Sequence, residues 1–175
     1  MKRGLITALL IWILFLLQTT VFQFLKIAST APNLLLILVV STGFLRGKRE
    51  GMLTGFFAGL LVDLFYGSWF GFYALVLMYI GYLCGKLYNV YFEESIRMPL
   101  ILVAAGDLGY GIAVYAVHFF LRGRVRFFSY LWRVILPEIV YTCLIAIILY
   151  RILYLINRSL SKNEERGVKN EWLKG

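Results

Sequence analysis

Apolar residues in this chain come in long runs broken by short clusters of charge, glycine or proline. They do not follow the alternation of a half-buried strand, nor the three-to-four spacing of a helix lying on a water-soluble core. The runs predict six helices, at about residues 4–25, 32–45, 51–66, 69–88, 99–121 and 134–156, with the second and third short. Beyond them, residues 157–175 turn polar and carry five basic and three acidic side chains, which reads as a solvated tail near anionic lipid.

Composition turns this pattern into a location. Hydrophobic residues make up 61% of the 175, charged ones 15%, and mean hydropathy is +0.81, whereas a water-soluble domain is about half apolar. A membrane-crossing helix takes roughly 20 apolar residues, so six leave only short loops and a tail. The expected fold is therefore an all-α integral membrane protein with six transmembrane helices over residues 1–156 and a basic cytoplasmic tail over 157–175, with no room for a soluble catalytic domain. Lys2 and Arg3 before the first run, and Ala28, Ser29, Thr30 and Ala31 after it, resemble a signal peptide. The run exceeds a signal core of 7 to 15 residues, and the first helix is read as retained.

Charge sets the expected orientation. With six crossings and both termini cytoplasmic, thirteen lysines and arginines fall inside and five outside; if the third helix does not cross, they divide nine and nine. The positive-inside rule favours the first arrangement. It places "RGRVRFFSYLWR" outside despite four arginines. Arg122, Arg124, Arg126 and Arg133, interleaved with or followed by aromatics that include Tyr130 and Trp132, have the chemistry of a segment at headgroup depth. Docking of an extracytoplasmic partner is the other reading.

Glycine carries the second pattern. In "GMLTGFFAGLLVDLFYGSWFG", Gly51, Gly55, Gly59, Asp63, Gly67 and Gly71 recur every four residues, each step about 40 degrees past a full helical turn. Small residues at this spacing form a slowly winding groove that lets two helix backbones approach in lipid, where hydrophobicity alone drives little association. Asp63 interrupts the stripe. A carboxylate in hydrocarbon costs about 2.5 to 3.5 kcal/mol on insertion scales, so it is expected to face protein or water, as are Asp107 in "AAGDLGYG" and Glu138 after Pro137. Protonation, or hydrogen bonds from hydroxyls and helix N-termini, would hold these acids. A packing role, a polar cavity lining and a proton or ion relay remain open.

Other chemistry is sparse. His118, Cys84 and Cys143 have no metal-ligand spacing and no disulfide framework, and no nucleophile-elbow, zincin or Walker motif occurs. No enzyme and no cofactor is expected.

The short basic N-terminus, "APNLLLILVV", "GFFAGLLVDLFYGSWFG" and "ILPEIVYTCLIAIILYRIL" resemble, in order and spacing, the MreD family of bacterial rod shape-determining membrane proteins. The resemblance covers nearly the whole chain. It implies a non-enzymatic scaffold subunit of the cell-elongation complex in the bacterial cytoplasmic membrane. Its partners would be an MreC-like bitopic protein, the actin-like MreB, a polysaccharide polymerase and a class B transpeptidase, with membrane lipid around it and no nucleic acid. The family is also similar in architecture to the substrate-binding S components of energy-coupling-factor vitamin transporters, which supplies the alternative function. Against that alternative, the first helix offers only Gly4 and Ala8 before a bulky run, and Gly67 and Ser68 are too short a connection for a lid.

Overall fold

The computed structural model describes residues 2–24, 31–66, 71–89, 97–122 and 130–172, which form helices and the short connections between them, with no strand among them. Helix α1 is Lys2–Thr19 and α2 the short Val21–Phe24; α3 is Leu34–Arg46, α4 Lys48–Tyr66 and α5 Phe72–Lys86. Helix α6 is Arg97–Arg122, a π-helical turn covers Leu131–Ile135, and α7 is Leu136–Trp172. Among the described residues, two segments are long and apolar enough to cross a membrane, Arg97–Val117 and Leu131–Ser159.

Two features depart from the simplest expectation. The first apolar run is interrupted at Thr20, where the hydroxyls of Thr19 and Thr20 donate back to the carbonyls of Phe15 and Leu16; such back-bonding competes with the helical ladder and bends the chain. The last helix continues to Trp172, through the segment expected to be a tail.

At the centre lies α3. Its residues from Leu34 to Phe44 are all buried, so it meets protein rather than lipid on every side. A helix of 13 residues is about 20 Å long, less than the roughly 30 Å of hydrocarbon that a lipid-facing helix must match. The core around it draws on every other long helix: Ile11, Leu14 and Phe15 from α1, Ala58 from α4, Leu77, Ile80 and Cys84 from α5, Val103 from α6, and Ala146 and Leu153 from α7. Side chains on the outside are large and apolar, including Leu9, Trp12, Phe57, Leu64, Leu75, Tyr79, Ile101, Leu144 and Ile148. A belt of that extent is what lipid, not water, tolerates.

The tightest packing joins α4 to α5. A Cβ placed on Gly51, Gly55 or Gly59 would fall closer than 3.0 Å to backbone atoms of Gly81, Leu77 and Ala74 respectively. The contact is reciprocal, since a Cβ on Gly81 would strike Gly51 and one on Gly85 would strike Lys48. Gly43 of α3 joins at the same point, where its added Cβ would lie 2.8 Å from the Gly81 carbonyl oxygen. Neither backbone can retreat without opening the core. Gly71 is not part of this seam: nothing lies within 4 Å of its added Cβ, and its φ of +97° makes it the left-handed residue that starts α5. Gly67 lies outside the described residues.

Side-chain hydrogen bonds close both ends of α3. At its start, Asn33 Oδ1 accepts the Leu36 N–H at 3.2 Å as an N-cap, Gln18 of α1 accepts the Leu35 N–H at 3.2 Å, and the Asn33 N–H donates to Thr142 of α7 at 3.2 Å. At its end, Arg46 donates to Asn157 of α7 and to Thr7 of α1, both at 2.8 Å.

Because the α4 to α5 seam is backbone against backbone, even one methyl group is excluded. Gly55→Ala is expected to destabilise the purified protein by about 1 to 3 kcal/mol, whereas Gly4→Ala, in open space, leaves the melting temperature within error of the parent. Equal melting of the two variants in detergent would refute the seam.

Candidate functional site

The acid inside the glycine stripe has a structural task. Asp63 is 3% exposed, and its two carboxylate oxygens accept the backbone N–H groups of Tyr73, at 3.0 Å, and Ala74, at 2.9 Å. With Gly71 as the N-cap, these are the second and third residues of α5. They are among the N–H groups that a helix start leaves without an internal partner. Gly71 has no capping side chain of its own, so Asp63 reaches across from α4 and caps α5 from outside. The negative charge also meets the positive end of the α5 dipole. The glycine seam makes this possible: one turn before Asp63, Gly59 rests on the backbone of Ala74.

Asp107 and Glu138 form a second polar site, separate from the first. Asp107 projects from α6 into the bundle at 2% exposure. The side chains of Thr142 and Asn33 are placed to donate to it, yet neither carboxylate oxygen completes a hydrogen bond of normal distance and angle. Glu138, one turn before Thr142 on α7, is close enough for its charge to interact with that of Asp107. Tyr110 lies near both acids, in ring contact with Tyr73 at 6.0 Å, and Tyr130 stands against Tyr115 at 5.3 Å. Glu138 follows Pro137 directly, and the chain enters α7 through the π-helical turn, where the Leu136 N–H bonds to the Leu131 carbonyl. A proline lacks the N–H and crowds the carbonyl four residues earlier; the wider π turn places that carbonyl, of Arg133, farther from the ring.

The arginine and aromatic segment is described only in part. Arg124 and Arg126 lie outside the described residues, and Arg122 ends α6. Tyr130 is half-buried, while Trp132 and Arg133 are exposed on the π turn. No group of three or more histidine, cysteine or acidic side chains suited to a metal occurs among the described residues.

Sequence reasoning missed Asn33, Gln18 and Arg46 as the ties of α3, although asparagine directly before an apolar run is a start signal. It also missed Gly43, Gly81 and Gly85, the other half of the seam; the spacing of Gly81 and Gly85 was visible, but their pairing with α4 was not.

A buried helix wrapped by longer ones, a backbone seam and an outer surface of large apolar side chains define a helical membrane protein. The family model described as rod shape-determining protein MreD matches residues 2–160, and the chain belongs to that family. No curated protein matches the chain, and no solved structure does.

Each oxygen of Asp63 accepts one amide, so graded replacement should grade the loss. Asp63→Asn retains one acceptor and is expected to cost about 1 kcal/mol, near the value of one hydrogen bond; Asp63→Leu leaves both N–H groups bare and should cost at least twice that. Thermal unfolding in nanodiscs checks the order. Asp63→Leu melting above Asp63→Asn would refute the capping role.

Proposed function

We propose that this protein is a non-enzymatic scaffold of the cell-elongation complex. Six helices cross the cytoplasmic membrane with both termini inside, and the chain seats the membrane helix of an MreC-like bitopic partner. Through that partner it would position MreB, a polysaccharide polymerase and a class B transpeptidase, and so the site of peptidoglycan synthesis. Membership of a family described by rod shape determination supports the role.

One observation carries the mechanism: an apolar groove of about 680 Å³ runs along the outside between α5 and α6. Leu75, Tyr79 and Leu83 form one wall, and Ala105, Gly109 and Ala113 line the other at four-residue spacing. The α4 glycines are consumed inside the fold, whereas a Cβ on Gly109 would meet nothing within 4 Å. An open stripe of small residues against an apolar wall fits a single transmembrane helix. The vitamin-transporter alternative gains nothing from α1, whose outward face is the bulky Leu5, Leu9, Trp12 and Leu16.

Two measurements test the proposal. Reporters fused after Lys48, after Phe92 and at the C-terminus should read cytoplasm, and one after Arg124 outside; an outside C-terminus would sink the six-crossing topology. Gly109→Leu fills open space, so it should leave melting unchanged while reducing co-purification of the MreC-like partner by about tenfold, equivalent to 1.4 kcal/mol. Undiminished capture would remove the α5 to α6 groove as the seat.

A further inference from the structure

The cluster around Asp107 is unexplained by packing. Asp63, with two amide donors, shows how this bundle satisfies a carboxylate. Asp107 is as deeply buried and has both oxygens without a hydrogen bond, with a second carboxyl, Glu138, within charge range. The other groups near the pair are Asn33, Thr142, Tyr110, Tyr73, Tyr130 and Cys143, none of them cationic.

We propose that Asp107, Glu138, Thr142 and Tyr110 form a binding site for one small monovalent cation, sodium, between α6 and α7. The available donor set is oxygen throughout, which suits a hard cation. Thr142 Oγ1 accepts only the Asn33 N–H and keeps a second lone pair. The Thr142 and Asn33 side chains stand near Asp107 without completing a hydrogen bond to it, whereas a cation would engage both of its oxygens. Oxygens around one ion at about 2.4 Å stand about 3.4 Å apart when at right angles, so ligands of one ion need not hydrogen-bond to one another. At 2% exposure Asp107 itself is within reach of an ion but not of a partner's lysine side chain. Magnesium is disfavoured because it sheds its waters reluctantly and two of the ligands, Asp107 and Thr142, are buried. The wider π turn preceding Glu138 is a distortion common at functional sites. Binding would tie α6 to α7 and make the stability of that contact depend on sodium.

The test uses the full-length protein in nanodiscs, independently of any partner. Equilibrium binding of radioactive sodium should saturate near one ion per chain and resist competition by choline. Sodium chloride should raise the melting temperature relative to choline chloride at equal ionic strength. Asp107→Asn and Thr142→Val should each weaken sodium binding by about tenfold or more, and Thr142→Val, which preserves shape, covers the case in which Asp107→Asn fails to fold. Absence of saturable sodium binding to the parent protein overturns the proposal, as does binding unchanged in both variants. Melting that follows pH but ignores sodium also overturns it, and assigns the pair a shared proton.

Discussion

Three backbones meet at Gly43, Gly51 and Gly81, and the rest of the bundle depends on how closely they do so. In lipid the usual driving force for helix association is weak, because an apolar side chain gains little by leaving acyl chains for protein. What remains is contact area and the geometry that contact permits. Glycine on both sides of a crossing removes the spacer, and two helices then touch main chain to main chain along several turns. The α4 to α5 hairpin is built this way, from Gly85 against Lys48 at one end to Gly59 against Ala74 at the other. At such separation a short carboxylate on α4 reaches the N-terminus of α5, so the Asp63 cap is a consequence of the seam. A longer interaxial distance would leave Asp63 with a buried charge and the Tyr73 and Ala74 N–H groups without acceptors.

The same node explains why α3 is short and buried on every side. Lys48 follows Arg46 by two residues, with Gly47 at a φ of +91° turning the chain, so α3 is pinned against α4 at the end where Gly43 enters the seam. Having protein on all sides, it need not match the bilayer. Its first N–H groups cannot reach water through that enclosure, however, and Gln18 and Thr142 accept from the backbone at the start, while at the end the Arg46 side chain ties α3 to Thr7 and Asn157. Helices α1 and α7 are thus bound to the centre by polar contacts at both ends and by apolar packing between. That division suits lipid, where a hydrogen bond has little competition from solvent.

Legibility from sequence followed the range of each interaction. The helical class was readable from apolar runs, since that signal is local and repeated. The glycine stripe on α4 was readable as a close-packing face because its period lies within one helix, and a helix N-terminus stood among the candidate partners of Asp63 for the same kind of reason. Which helix the stripe meets was not readable, because Gly81 and Gly85 carry an equivalent stripe and nothing in one sequence pairs two faces. Gly71 fitted the four-residue period by number alone; it stands beyond the end of α4, where the period has lost its geometric meaning and a positive φ decides the residue. The Asn33 to Thr142 contact joins residues 109 apart, and no local pattern predicts it.

The small-residue stripes of α4 and α6 therefore have different consequences. That of α4 is matched by glycines of α5 and buried, so it shapes the monomer. That of α6, Ala105, Gly109 and Ala113, faces a groove whose other wall is bulky and exposed. A lipid-facing helix gains nothing from small residues at regular spacing unless another helix lies on them, since acyl chains fill any contour. Large apolar residues would serve equally there and would raise insertion propensity. The matched stripe belongs to folding, and the unmatched one, left open along the groove, is what the proposed partner helix would fill.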